Sequence, residues 1–354
     1  MSYKNILKAF FAVTITTFMT VFSIFAQSEV LDGVNGTVWV TNRTFGNVAA
    51  FDAATGNVLA TITVGTNPIG VISPPNTNKL YVSNEDSNSV SVISKASLSV
   101  AATIQLPAGS KPHHINYSPD GRFVYVAEFG SNKIAVINTE TDALVAEFVT
   151  NPSPTARPHA VWISQANKTI YVANAGANEI AALDAVSGEI LWSLPVGANP
   201  SEILVPNSAK TANFLFRKIA YVSVRNENKV KVVDLETRAI VDEIVVGTQP
   251  DTLRLTPNGK TLVVTLRGVP AQISIVNVFK TLSAQLVNIA PNTTTGHHWL
   301  SNNGRYSFVA VENPGSLAVV DNRTAQVIAT YAYPGGGRPH GVFYEPTNLQ
   351  TNFE

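Results

Sequence analysis

Hydrophobic and polar positions alternate along most of this chain in short runs with a period of two, which is typical of β-strands with one buried face. One such run recurs seven times, at residues 38–42, 80–84, 124–128, 170–174, 220–224, 262–266 and 308–311. A second alternating run follows each copy, and turns rich in Asn, Asp, Gly and Pro bound the runs. The pattern predicts four strands in each repeat.

One residue just before the first strand of each repeat marks the repeat length. These positions are Pro68, Pro112, Pro158, Pro200, Pro250, Thr295 and Pro339. Neighbouring positions are 42 to 50 residues apart. Four-stranded repeats of this length are typical of propeller blades. The sequence therefore predicts an all-β fold, a seven-bladed β-propeller of four-stranded antiparallel blades.

The first blade lacks its innermost strand, because one period before Pro68 falls among the first 26 residues. Residues 340–346 have the pattern of an inner strand but are followed by no blade of their own. We expect this C-terminal strand to pair beside residues 37–65. The pairing closes the ring and covers a sheet edge that would otherwise be exposed.

The N-terminus has a different composition from the repeats. Lys4 and Lys8 precede an apolar run that extends to Ala26. This pattern predicts a secretory signal peptide over residues 1–26 and a single propeller domain over residues 27–354. An uncleaved membrane anchor is the alternative. We expect an exported monomer, periplasmic or on the cell surface of a bacterium, with no membrane span after cleavage.

Composition excludes several kinds of chemistry. The chain has no cysteine, so disulfides, thiolate metal ligands and a cysteine nucleophile are excluded. Its 24 Lys and Arg balance 24 Asp and Glu, and no overall positive field is available to attract nucleic acid. We therefore expect no nucleic-acid partner.

The repeats also resemble a known family. Strands such as Tyr-Val-Ser-Asn at 81–84 and the Ser-Pro-Asp-Gly turn at 118–121 resemble the YVTN-type repeat of bacterial exported and surface-layer propellers. The resemblance covers essentially the whole chain after residue 26, and it extends to lactonase-like seven-bladed propellers. It implies the fold and says little about function, because propellers carry many unrelated sites.

All six histidines occur where a link enters an inner strand: His113, His114, His159, His297, His298 and His340. Inner strands surround the channel of a propeller, so we expect these side chains to converge at one mouth. Four imidazoles, at 113, 159, 297 and 340, are candidate ligands of one divalent or copper ion, with those at 114 and 298 as further candidates. Within each doublet, strand alternation predicts that only one ring faces the channel. The alternative interpretation is that the rings hydrogen-bond the backbone of a neighbouring blade.

Charged residues accompany the histidines. Arg225, Arg267 and Glu312 follow second strands, and Glu202 and Asp251 lie just inside inner strands. Topology brings both sets to the same face. They are candidate contacts for a small polar or anionic ligand with a carboxylate or phosphate group, or for a protein partner. An ordinary solvated rim is the alternative.

Three functional hypotheses follow. The first is an exported binding module with a ligand or metal site at the channel mouth. The second is a metal-assisted lyase or a lactone-opening hydrolase acting on a small carboxylated substrate, with His159, His297 and Glu128 as catalytic candidates. The third is a cell-surface interaction or array protein. The sequence contains no familiar hydrolase signature that would decide between them.

Overall fold

The computed structural model describes residues 31–206, 218–279 and 282–347. The predicted signal peptide lies outside these ranges. Within the described ranges, no helix has the length and apolar character needed to cross a membrane.

The described residues form 28 strands and one short 3₁₀ helix, Arg225–Glu227. In chain order the strands are β1 (Gly36–Asn42), β2 (Asn47–Asp52), β3 (Val58–Thr63), β4 (Pro68–Ile72), β5 (Lys79–Asn84), β6 (Ser89–Ser94), β7 (Ser99–Gln105), β8 (Pro112–Tyr117), β9 (Phe123–Glu128), β10 (Lys133–Asn138), β11 (Ala143–Val149), β12 (Pro158–Ile163), β13 (Thr169–Asn174), β14 (Glu179–Asp184), β15 (Ile190–Pro195), β16 (Pro200–Leu204), β17 (Ile219–Val224), β18 (Lys229–Asp234), β19 (Ala239–Val245), β20 (Pro250–Leu255), β21 (Thr261–Leu266), β22 (Ala271–Asn277), β23 (Ala284–Ala290), β24 (Thr295–Leu300), β25 (Tyr306–Val311), β26 (Ser316–Asp321), β27 (Gln326–Ala332) and β28 (Pro339–Pro346).

The strands form seven four-stranded antiparallel sheets, which confirms the predicted propeller. Blade 1 combines β28 with β1–β3, and each later blade consists of four consecutive strands, from β4–β7 in blade 2 to β24–β27 in blade 7. The C-terminal strand pairs antiparallel with β1, with Val342 opposite Val40 and Pro346 opposite Gly36. The predicted ring closure is therefore also confirmed.

The core lies between the blades. Inner strands such as β4 and second strands such as β5 are almost entirely buried, whereas outer strands such as β7 alternate between exposed and half-buried residues. Large side chains such as Phe51, Tyr81, Tyr221 and Phe308 are fully buried between sheets. Alternation on the outer strands thus leaves one face for packing and the other for water.

A pairing irregularity near the start of each inner strand shapes the channel. In blade 3, His113 and His114 together face one residue of β9, because pairing shifts between Pro112 and Ile115. Such a β-bulge re-aims side chains and leaves backbone groups unpaired.

Small hydroxyl residues on some second strands satisfy these unpaired groups. The Gly70 amide donates to Ser83 Oγ at 2.9 Å, and that hydroxyl donates to the His113 carbonyl of the next blade at 2.5 Å. Ser223 does the same in blade 5, accepting from the Glu202 amide and donating to the Asp251 carbonyl. The bulges are therefore fixed by contacts between neighbouring blades.

Candidate functional site

The inner strands all begin on one face of the disc, and the turns between second and third strands lie on that same face. The surrounding side chains define one opening of the channel, which we call the histidine mouth. Its residues are His113, His159, His297, His340, Arg225, Asp251, Arg267, Glu312 and Arg338.

The mouth histidines form two close pairs. The ring centroids of His113 and His159 lie 4.2 Å apart, and those of His297 and His340 lie 4.4 Å apart. The His297 ring also lies 6.2 Å from that of His114, deeper in the channel. The predicted convergence of the histidines is therefore present in the structure.

The expectation of one channel-facing ring in each doublet is met in blade 7 and wrong in blade 3. His298 Nδ1 lies 2.9 Å from the Thr252 hydroxyl of blade 6, whereas His297 joins the other rings. In blade 3, His113 packs on His159, while His114 Nε2 lies 3.3 Å from the Glu202 carboxylate across the channel. The bulge in β8 breaks the alternation and turns both rings of this doublet inward.

One charged network at the mouth centres on Asp251, which is 1% exposed. Arg225 Nη2 donates to Asp251 Oδ1 at 2.6 Å and lies 3.0 Å from His159 Nε2. His159 Nδ1 lies 2.7 Å from the Ser201 carbonyl, which can only accept, so Nδ1 carries the proton and Nε2 accepts from the arginine. Burial, followed by the charge of Arg225, lowers the pKa of His159 to about 3.

A second network centres on Glu312. Arg267 Nη2 donates to Glu312 Oε1 at 3.1 Å, and Arg338 donates to Oε2 through Nε at 3.1 Å and Nη2 at 2.8 Å. His340 Nδ1 donates to Oε1 at 3.0 Å. Burial lowers the pKa of His340 to about 4, although the hydrogen bond to Glu312 acts to raise this pKa.

The two networks meet around Asp251. Arg267 Nε lies 4.0 Å from Asp251 Oδ2, and that oxygen and Arg225 Nε are buried without a hydrogen-bond partner among the described residues. Burial acts to raise the pKa of Asp251, but interactions with Arg225, His297, His159 and Arg267 outweigh it and hold this pKa well below its usual range. The carboxylate is therefore ionised and holds two guanidinium groups in place.

Residues 108–281 match the family model described as "Lactonase, 7-bladed beta-propeller". The chain is similar to that family over these residues, and its described residues form a seven-bladed propeller. The matched range contains His113, His159, Arg225, Asp251 and Arg267, but it leaves out His297, Glu312 and His340. No curated protein sequence matches the chain.

Solved structures show the same fold at low sequence identity. A functionally unknown protein from Desulfotomaculum acetoxidans aligns with a TM-score of 0.71 at 14% identity, covering 88% of this chain and 100% of that one. A Bacteroides fragilis protein described as a candidate 6-phosphogluconolactonase gives 0.69 at 16% identity, covering 88% and 98%. Dihydro-heme d1 dehydrogenase NirN, solved in complex with DHE, gives 0.66 at 16% identity, covering 87% and 75%.

Two charged candidates of this propeller lie away from the mouth networks. Glu202 is 1% exposed and lies within the channel, near His114 and 3.8 Å from Arg254 Nη1. Glu128 accepts from Ser131 at 2.5 Å and interacts with Glu147 of β11, on the outer half of blade 3. Its contacts give no support to a role in moving protons for a ligand at the mouth.

The predicted metal ion also stays a prediction. Within the described ranges, no group of three or more His, Asp or Glu side chains has the arrangement needed to hold a metal ion. The geometry supports hydrogen bonding by His159 and His340 instead, because each ring already has partners within the protein.

Two cations at the edge of the mouth have unusual backbone geometry. Lys111 and Arg157, directly before Pro112 and Pro158, have φ values of +46° and +49°. Equivalent positions in blades 2 and 5 use Asn67 and Asn199, a residue type that tolerates this left-handed region better. Blades 3 and 4 therefore place a positive charge beside the mouth at some backbone strain.

Sequence reasoning missed the opposite end of the channel. The side chains of Tyr117, Trp162, Arg254 and Trp299 line a cavity near the ends of their inner strands. The available signal was Arg254, an arginine between Leu253 and Leu255 near the end of an inner strand, because arginine is rarely buried without a partner.

Proposed function

We propose that this lactonase-like propeller is a binding protein whose histidine mouth takes up a small organic anion with carboxylate or phosphate groups. The observation that carries the proposal is the pair Arg225 and Arg267, each fixed by a buried carboxylate and each about one-fifth exposed at the mouth, at 20% and 19%. Guanidinium groups held in this way are suited to bind planar oxyanions through two hydrogen bonds.

The charge balance at the mouth supports an anionic ligand. Three arginines, 225, 267 and 338, face two carboxylates, Asp251 and Glu312, which gives 3 − 2 = +1 while the imidazoles are neutral. Lys111 and Arg157 add two more positive charges at the edge. A cleft with an excess of one sign of charge concentrates ligands of the opposite sign.

The histidines favour binding over proton-transfer catalysis. Burial lowers the pKa of His159 to about 3 and that of His340 to about 4, so both are neutral and weakly basic near pH 7. A general base works best when its pKa lies near the working pH. Neutral rings instead help to position the groups around a bound ligand, because His159 accepts from Arg225 and His340 donates to Glu312.

A lactone-opening hydrolase is the second candidate, and the family match over residues 108–281 favours it. In this alternative, Arg225 and Arg267 would polarise the lactone carbonyl and His159 would act on the attacking water. The test is whether the protein releases acid from glucono-δ-lactone faster than the spontaneous rate. A faster rate that is lost in His159→Gln would favour the hydrolase over the binding protein.

Calorimetric titration with citrate and with inorganic phosphate tests the binding proposal. We expect one saturable site per chain, weakened roughly tenfold or more in Arg225→Gln and in Arg267→Gln, because each removes a charge-assisted hydrogen bond. Arg122→Gln is the matched control, since Arg122 is 74% exposed in a turn on the opposite face. The proposal is wrong if neither anion saturates or if all three variants behave alike.

The location of the protein is part of the same proposal. The signal-like first 26 residues support export to a bacterial periplasm or cell surface, where the mouth would meet ligands from outside the cell. Cell fractionation with an antibody against the propeller tests this point, and recovery only with cytoplasmic proteins would contradict it.

A further inference from the structure

A cavity of about 330 Å³ lies at the end of the channel opposite the histidine mouth. Its walls come from the far ends of inner strands of five blades and include Tyr117, Trp162 and Trp299. Pro119 and Gln165, in the turns that follow β8 and β12, also line the cavity and place it toward the far face of the disc. Its volume is within the range of small-molecule sites.

The cavity has a fixed aromatic wall. The Arg254 guanidinium lies 4.4 Å from the centroid of the Trp299 ring, and the Trp299 ring packs at 4.8 Å against Phe343 in an edge-on arrangement. Arg254 Nη1 donates to the Leu253 carbonyl at 2.7 Å. These contacts hold the arginine and the indole together as a preformed surface.

Polar groups of the cavity have unused hydrogen-bonding capacity. His114 is 6% exposed, and its Nδ1 and Arg254 Nε are both buried without a hydrogen-bond partner among the described residues. Glu202 lies 3.8 Å from Arg254 Nη1, too far for a hydrogen bond, so it balances the arginine's charge without occupying its donors. A buried donor left unpaired is costly unless a ligand or water uses it.

We propose that this cavity is a second binding site, for a planar aromatic carboxylate of one or two rings. The ligand ring packs against Trp162 and beside the pair of Arg254 and Trp299, where the cavity wall is aromatic. The carboxylate accepts from Arg254 and faces His114. The site shares no residue with the Arg225 and Arg267 networks, so it is independent of the function proposed for the mouth.

Calorimetry of the purified protein with 2-naphthoate, and with its uncharged analogue 2-naphthamide, tests this site. We expect one molecule of the acid to bind per chain and the amide to bind about tenfold more weakly, because it lacks the charge that Arg254 recognises. Equal affinity for acid and amide, or no saturable binding of the acid, would overturn the proposal.

Variants assign the binding to this cavity. Arg254→Gln is expected to reduce the affinity for the acid to that for the amide, and Trp162→Leu to weaken both about tenfold. Trp192→Leu, on the outer strand β15 against Tyr171, is the matched control and leaves both affinities unchanged. Unchanged binding in Trp162→Leu would place the probe elsewhere and refute the site.

A competition measurement on the unmodified protein does not depend on whether any variant folds. Saturating citrate leaves 2-naphthoate affinity unchanged if the two sites are separate. Displacement of the naphthoate by citrate would contradict a second site even if both ligands bind. If 2-naphthoate binds and citrate does not, the anion site proposed at the mouth is wrong and the cavity site is unaffected.

Discussion

Removing the positive partner of Asp251 should destabilise the propeller in a pH-dependent way. In Arg225→Met the carboxylate stays buried, at 1% exposure, and keeps only Arg267 at 4.0 Å in place of the 2.6 Å hydrogen bond. Breaking a buried pair by removing one partner costs about 3–5 kcal/mol. We expect about 3 kcal/mol at pH 7, because Arg267 still compensates in part.

The direction of the pH effect follows from the pKa of Asp251. In the native protein Arg225 helps to hold this pKa well below its usual range, so the carboxylate adds stability that is lost as the pH falls through the folded-state pKa. Without Arg225, we expect burial to outweigh the remaining effect of Arg267 and to raise the pKa of Asp251 above its unfolded value. Protonation then relieves the cost in acid, so the variant loses less stability at pH 4.5 than at pH 7.

Scanning calorimetry at the two pH values measures the difference. Unfolding about 300 residues carries an entropy of roughly 0.6 kcal/mol/K, so 3 kcal/mol corresponds to a fall in Tm of about 5 °C at pH 7. We expect a fall of about 2 °C at pH 4.5. Arg122→Met, at an exposed position, should change Tm by less than about 1 °C. An equal fall at both pH values, or none at pH 7, would show that Arg225 does not stabilise the ionised Asp251.

Three further predictions concern stability. Lys111→Asn and Arg157→Asn should each raise the Tm measured by calorimetry by about 1.5 °C, because asparagine tolerates the left-handed backbone better. Each variant should also weaken citrate binding about twofold, because it removes a positive charge near the mouth. A lower Tm would show that the strain is absent. Burial raises the pKa of Glu128 to about 7, so the ionised side chain destabilises the folded protein above this pH. Glu128→Gln should therefore raise the free energy of unfolding by about 2 kcal/mol at pH 8 and by little at pH 5. Denaturant titrations measure both values, and an equal effect at the two pH values would contradict the prediction. Tyr81→Phe removes a 2.5 Å hydrogen bond to Asp142 of the next blade and should lower the free energy of unfolding in urea by about 1–2 kcal/mol. An unchanged unfolding midpoint would contradict this prediction.

The architecture was predictable because its signals are local and repeated. Each strand carries its own alternation, and the turns between strands carry their own Asn, Gly and Pro residues. Ring closure followed from counting strands, since residues 340–346 had an inner-strand pattern and the first blade lacked one. The convergence of His159 and His340 on one channel followed from topology alone.

The detailed site depended on contacts that the sequence does not encode locally. The bulge that turns both His113 and His114 inward arises from the pairing of β8 with β9. The residue pattern within β8 does not predict it. The Arg267 and Glu312 pair joins residues 45 positions apart in two blades. Glu128 lies at the end of a second strand, close to the sequence position of the other charged candidates. Its side chain nevertheless interacts with Glu147, because packing within blade 3 directs it there.

Arg225 and Arg267 are proposed to hold an anion at the histidine mouth. A crystal structure of the protein grown in citrate tests this placement. We expect one citrate at the mouth, with carboxylate oxygens about 2.8 Å from both guanidinium groups and its other polar atoms facing the imidazoles. Citrate bound elsewhere, or a mouth that holds only water at saturating citrate, would show that these arginines do not form the anion site.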